Sequence, residues 1–250
     1  MRGLERRSTG RLMTLLCLLA APASFAQMLD VDALLVEASA VPGQGTVRLS
    51  GGGGGQTVST DPGQGTASVA GSVLWVPVRG FGGDVGAYYQ TGRSGPSARV
   101  RYQFLSQDSA GVDLTLGARY KSEGFSGTGV GEIEALFAIG RSFGQVDLVL
   151  NLVWGWELGG PGQDAEVKAL VGWRFNDNVR LGLEVRAQTE VHNEDGWQAP
   201  QMIGTDLRAG PTFFWRVSRP VSFQVLVGVG KPVNVNQAGL LALGSFALDL

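Results

Sequence analysis

The sequence predicts an all-β chain, a closed, antiparallel, up-and-down transmembrane β-barrel of about 12 strands. Three observations carry that prediction. Apolar and polar residues alternate with a two-residue period, in segments of about ten residues, from residue 45 to the last residue. The connections between these segments are short and long by turns. Beyond residue 26, no apolar stretch approaches the roughly 18 residues of a spanning helix. A chain that enters lipid without such helices must satisfy its backbone in a closed barrel.

The chain opens as a secretory leader. Met1-Arg2-Gly3-Leu4-Glu5-Arg6-Arg7 is basic, and an apolar run from Leu12 to Ala21 follows. Ser24-Phe25-Ala26 places small residues where a signal peptidase cuts. A signal peptide over 1–26 and a mature chain beginning at Gln27 are therefore expected. The apolar run is shorter than the roughly 20 residues of a membrane anchor. The single cysteine, Cys17, lies inside the leader, so the mature chain has no disulfide and no thiolate chemistry. Its 224 residues carry 16 basic and 21 acidic side chains, a net charge of −5. That balance argues against nucleic acid as a partner.

Residues 27–44 precede the alternating pattern, and 45–250 form the barrel domain. Within the first segment, Met28–Ala40 reads equally as a short amphipathic helix that sits in or under the lumen as a plug and as a disordered tether. The alternation then places strands at 45–55, 66–78, 83–90, 97–105, 111–121, 131–141, 145–157, 165–175, 178–189, 204–217, 220–230 and 238–250. The run Gly51–Gly55 has no following Lys-Ser or Lys-Thr, so it is no phosphate loop. Inside a strand it lets a neighbouring segment approach the backbone closely. Pro211 donates no ladder hydrogen bond and predicts a bulge.

Short connections fall at Ser106–Ala110, Ser142–Gly144, Asn176–Asp177 and Ser218–Arg219. Long ones fall at Gly124–Val130, Gly159–Asp164, Glu190–Gly204 and Lys231–Ala238. In the eight strands from 97 to 230, one phase holds 40 residues and no charge. It reads, for example, Val146, Leu148, Leu150, Leu152, Trp154 and Trp156. The opposite phase holds 18 charges. Strands at 97–121 contribute Arg99, Arg101, Asp113, Arg119 and Lys121. Those at 131–157 contribute Glu132, Glu134, Asp147 and Glu157. Those at 165–189 contribute Glu166, Lys168, Arg174, Arg180, Glu184 and Arg186, and the strand at 204–217 contributes Asp206, Arg208 and Arg216.

A soluble antiparallel sheet also alternates, with its apolar face inward. The aromatics separate the two cases. Phe104, Trp173, Phe175 and Trp215 sit beside short turns, while Tyr120, Trp154 and Trp156 sit toward the long loops. Aromatic rims with Leu, Val and Ile between them match the two interfaces of a bilayer.

Across 45–250 the chain resembles the bacterial outer-membrane β-barrel class. The leader, the two-residue pattern, the aromatic rims and a last strand ending at the chain terminus carry the resemblance. In that class the last strand is a recognition signal for the barrel-assembly machinery and usually ends in phenylalanine. Here Leu240, Ala242, Gly244, Phe246, Leu248 and Leu250 form its alternating face, with leucine at the end. The resemblance implies export to the outer membrane of a Gram-negative cell, outer-membrane lipid as surroundings and the assembly machinery as a partner. It names no subfamily and no substrate.

No residue set points to catalysis or to a cofactor. The one histidine, His192, falls in the longest predicted external loop, with no serine tied to it by a motif, so a lipid-acting enzyme of the Ser–His kind is the weakest reading. Glu190, Asn193, Glu194 and Asp195 offer oxygen ligands for calcium, yet read first as a solvated loop. No metal site is therefore assigned.

The inward charges are the candidate site. Arg99, Arg101, Asp113, Arg119, Glu132, Glu134, Asp147, Glu166, Lys168, Arg174, Arg180, Glu184, Arg186, Asp206, Arg208 and Arg216 are expected to line the lumen. They divide into an acidic wall (Glu132, Glu134, Asp147) and a basic wall (Arg180, Arg186, Arg208), which would set ion selectivity across a water-filled pore. Twelve strands lie between barrels of about eight, filled by side chains, and open porins of about sixteen. Two readings follow: a narrow porin-like channel for small polar or charged solutes, or a closed structural or adhesive barrel whose external loops bind a partner.

Overall fold

A computed structural model describes residues 36–58, 65–90, 93–122, 131–160, 162–192, 201–232 and 235–250. The leader, and with it the expected cleavage site, lies outside these residues. Among them are twelve strands: β1 (Val47–Gln56), β2 (Thr66–Val78), β3 (Phe81–Gln90), β4 (Arg93–Leu105), β5 (Asp113–Lys121), β6 (Glu132–Phe143), β7 (Val146–Glu157), β8 (Gln163–Asn176), β9 (Val179–His192), β10 (Gln201–Arg216), β11 (Val221–Lys231) and β12 (Gly239–Asp249). One helical turn, α1 (Gln107–Ala110), sits between β4 and β5. Each strand pairs antiparallel with its neighbours in sequence, and β1 pairs with β12 to close the barrel. No helix among the described residues is long and apolar enough to cross a membrane.

The two-residue period explains which face each residue takes. In β7, Leu148, Leu150, Leu152, Trp154 and Trp156 are exposed on the outer face, whereas Asp147, Asn151, Val153 and Glu157 between them are buried inside. The rim aromatics Phe104, Tyr120, Trp173, Phe175 and Trp215 are likewise exposed outward. The usual order of a soluble protein is thus inverted: apolar side chains face out and charged ones face in. Among the described residues, buried apolar side chains form small clusters, one of Leu226, Leu241 and Leu243 and one of Leu136, Ala138 and Val153.

The hairpins explain the end-to-end asymmetry. One end carries the tight β2–β3 and β6–β7 turns, where Gly80 (φ 78°) and Gly144 (φ 57°) adopt the left-handed conformation that two-residue turns require. The glycine run occupies the middle of β1, where it pairs with both β12 and β2. There a side chain on Gly51 would collide with the Phe246 ring, and one on Gly52 with the Gly244 carbonyl. At this seam Arg48 bonds Asp249, and the Leu250 N–H donates to the Val47 carbonyl at 2.8 Å.

Three local expectations are corrected. Pro211 marks no bulge: β10 keeps one register along β9 there, and its pairing with β11 only skips from Ala209 to Thr212 without a shift. Gly210 and Gly228 face one another across that interruption, and their lack of side chains lets the strands stay together without a proline N–H. The bulge in β10 lies instead between Met202 and Gly204. His192 ends β9, paired with Gln201, rather than sitting in a loop, because the last hairpin strands run several residues beyond the apolar pattern. Residues 193–200, which hold three of the four candidate calcium ligands, lie outside the described residues. Finally, Gln163 and Asp164 belong to β8, not to the preceding loop.

Candidate functional site

The inward phase of the strands builds a lumen, and the segment before β1 lies inside it. This strap, residues 36–41, is bonded to four strands. Val36 packs on Leu226, Leu241 and Leu243, and its N–H donates to the Glu184 carboxylate at 3.1 Å. The Glu37 N–H donates to Asn151 Oδ1 at 2.6 Å, and Asn151 Nδ2 donates back to the Glu37 carbonyl at 3.1 Å. The Thr115 hydroxyl donates to the Ser39 carbonyl at 2.6 Å, and the Val41 N–H to Gln103 Oε1 at 3.0 Å. Gly140 makes room for it: a side chain there would overlap that of Ser39. The described part of this segment contains no helix.

Glu37 is the ionic anchor of the strap. Its carboxylate accepts from Arg99 Nη1 at 2.8 Å, while Arg99 Nε bonds Asp84 at 2.9 Å. Burial pushes the Glu37 carboxyl up. Arg99, helped by Arg119, Lys168 and Arg101, outweighs that effect and holds the group at about 2.

The half of the lumen nearer the long loops is filled by charges. Glu132, Glu134, Asp164, Glu166, Lys168, Arg186, Asp206 and Arg208 are each no more than 3% exposed. They are paired locally, across neighbouring strands or two residues apart along one strand, rather than sorted by sign. Glu134 bonds Arg119 and, at 2.9 Å, Lys121. Glu166 bonds Arg186 and, at 3.0 Å, Lys168. Arg208 bonds Asp206 at 2.6 Å. Gln188 donates to Asp164 at 2.5 Å. The expected opposition of an acidic and a basic wall is therefore replaced by local neutralisation. The cause is register: Arg119 lies directly opposite Glu134 across β5–β6, and Lys168 opposite Arg186 across β8–β9, beside Glu166. Charge counted strand by strand does not reveal such cross-strand partners.

The half nearer the short turns is open. A cavity of about 400 Å³ lies there, between the strap and a wall of small residues from β1, β2 and β12 that includes Ser50, Gly52, Ala70, Ser72, Ser245 and Ala247. Arg48, Arg99, Arg101, Asp113, Asp147, Arg174, Arg180 and Glu184 also line it. Asp147 bonds Arg174 at 3.1 Å and Arg180 at 3.5 Å. The side chains of those two arginines are 38% and 24% exposed, so they are far better solvated than the pairs deeper in the barrel.

Of the sixteen residues expected to line the lumen, eleven are buried within the barrel, while Arg99, Asp113, Arg174 and Arg180 are half-buried. Arg216 differs: it is exposed at the short-turn end, near the Phe214 ring. Sequence reasoning missed Glu37, Asp84, Thr115 and Asp164. Asp84 and Thr115 occupy inward positions of their strands, so extending the phase count to neutral polar residues and to β3 would have found them. No local pattern marks Glu37.

No protein-family model matches the sequence, and no curated protein sequence matches it. Solved structures do match in fold. The KdgM porin aligns with a TM-score of 0.55 at 10% identity, over 80% of this chain and 97% of that one. The KdgM porin in complex with disordered oligogalacturonate aligns with a TM-score of 0.52 at 10% identity, over 80% and 97%. The NanC porin aligns with a TM-score of 0.53 at 9% identity, over 82% and 100%. In fold, this chain is a closed twelve-stranded antiparallel β-barrel similar to these outer-membrane porins.

Proposed function

We propose that this protein is a narrow porin-like channel for small polar or charged solutes, without covalent chemistry, exported through a cleaved signal peptide. One observation carries the reading: the barrel interior is lined by ionised and hydroxyl side chains on nearly every strand, which an inert apolar filling would not need. The fold shared with two porins supports it, as does the polar nature of the oligogalacturonate found with one of them. The strap acts as a plug in the short-turn half, and solute passes when it moves aside. A second reading, a closed structural or adhesive barrel, is favoured by the tightly paired charges of the long-loop half. Single-channel recording in planar bilayers, on the mature protein and on a variant lacking 27–44, tests both. Discrete conductance that grows when the strap is removed is expected. Silence in both proteins would leave the structural reading.

A further inference from the structure

We propose that the open half of the lumen contains an anion-binding subsite centred on Arg101, which takes the carboxylate of a small polyhydroxylated solute. The proposal deepens the channel reading by naming what the vestibule holds. Arg101 lines the cavity, is only 8% exposed, and makes no hydrogen bond or ion pair with any described residue. Its Nε is buried without an acceptor. The carboxylates around it, Glu37 and Asp84, are both engaged by Arg99.

A buried guanidinium with idle donors is costly, and buried polar groups are nearly always satisfied. A ligand that supplies the missing acceptors resolves this. The planar fork of arginine matches a carboxylate through two parallel N–H···O bonds. The rest of the cavity suits a hydroxylated body. Ser50 and Ser72 present hydroxyls 2.9 Å apart, and Gly52 beside them leaves the wall without a side chain. The volume of about 400 Å³ lies in the range of small-molecule sites.

Calorimetry on the folded mature barrel in detergent tests the subsite, with gluconate as probe and sorbitol as its uncharged counterpart. Gluconate should bind and sorbitol should not. Arg101→Gln should weaken gluconate at least about tenfold, as expected for loss of a charged hydrogen-bond pair. Arg101→Lys, which keeps the charge and loses the fork, should fall between the two. Arg79→Gln, in the exposed β2–β3 turn, should leave binding unchanged. Equal binding of gluconate and sorbitol would overturn the proposal. So would an Arg101→Gln barrel that loses stability yet keeps its gluconate affinity, since that assigns Arg101 to balancing the Glu37–Arg99–Asp84 cluster. Bilayer recording separates this from the channel reading. A silent barrel that binds gluconate refutes the channel alone; a conducting barrel indifferent to gluconate refutes the subsite alone.

Discussion

The two halves of the lumen are made from the same strands and differ in how they treat charge. Toward the long loops, oppositely charged side chains on adjacent strands meet with almost no solvent, as Arg119, Lys121 and Glu134 do. Toward the short turns, Asp147, Arg174 and Arg180 are paired more loosely and border a cavity. The difference traces to the wall opposite. The β1–β2–β12 seam offers Gly52, Ser50, Ser72 and Ala247, which leave space, whereas β5–β10 bring long ionic side chains inward. The strap enters the open half because there is room for it. One closed barrel therefore holds both a packed layer and a vestibule, decided by side-chain volume.

The comparison is most exposed to a paired substitution. Glu134→Gln removes the carboxylate that Arg119 and Lys121 share in the packed half, and breaking a buried pair of this kind costs about 3–5 kcal/mol. Asp147→Asn in the open half should cost no more than about 1 kcal/mol, because solvent screens its partners. Urea titration of barrels folded into lipid vesicles measures both. Equal losses would erase the distinction between the halves.

The strap offers a test with opposite signs. Gly140→Leu fills the space that Ser39 occupies and should expel the strap, raising conductance at least about twofold by widening the path. Were the strap absent from the lumen, the same leucine would narrow the path and lower conductance.

A smaller effect comes from acid. Because the Glu37 carboxyl is held at about 2, below its ordinary value of 4.5, its ion pair with Arg99 is fully present above pH 4.5 and is lost as pH falls through 2. Conductance should hold constant from pH 7 to about 5 and rise only below that range. In Glu37→Gln, which lacks the titrating group, the rise should be absent. A wild-type rise near pH 6 would place the anchor elsewhere.

The last prediction sharpens the strap itself. Mass spectrometry of the protein from the outer-membrane fraction should find Gln27 at its start, which leaves nine residues ahead of Val36. A mature chain that begins after residue 36 would remove the Glu37 N–H bond to Asn151 or the strap entirely.

Which face each strand turns outward was legible in the sequence, because the pleat has a period of two and lipid tolerates no unpaired charge. Leu150 at 37% exposure beside fully buried Asn151 follows from that alternation alone. Strand number and the aromatic rims followed from the same pattern. What escaped it depends on contacts between segments far apart in the chain. The pairing of Arg119 with Glu134 needs the β5–β6 register, and Glu37 reaches Asn151 across 114 positions of sequence. Pro211 was misjudged for the same reason, since the glycines that accommodate it, Gly210 and Gly228, meet only across two paired strands. Periodicity is a property of the chain and dictates the barrel and its faces. Register, side-chain volume across the lumen and the path of the strap are properties of the closed fold, and they alone decided that one half is packed with ion pairs while the other holds a cavity with a waiting arginine.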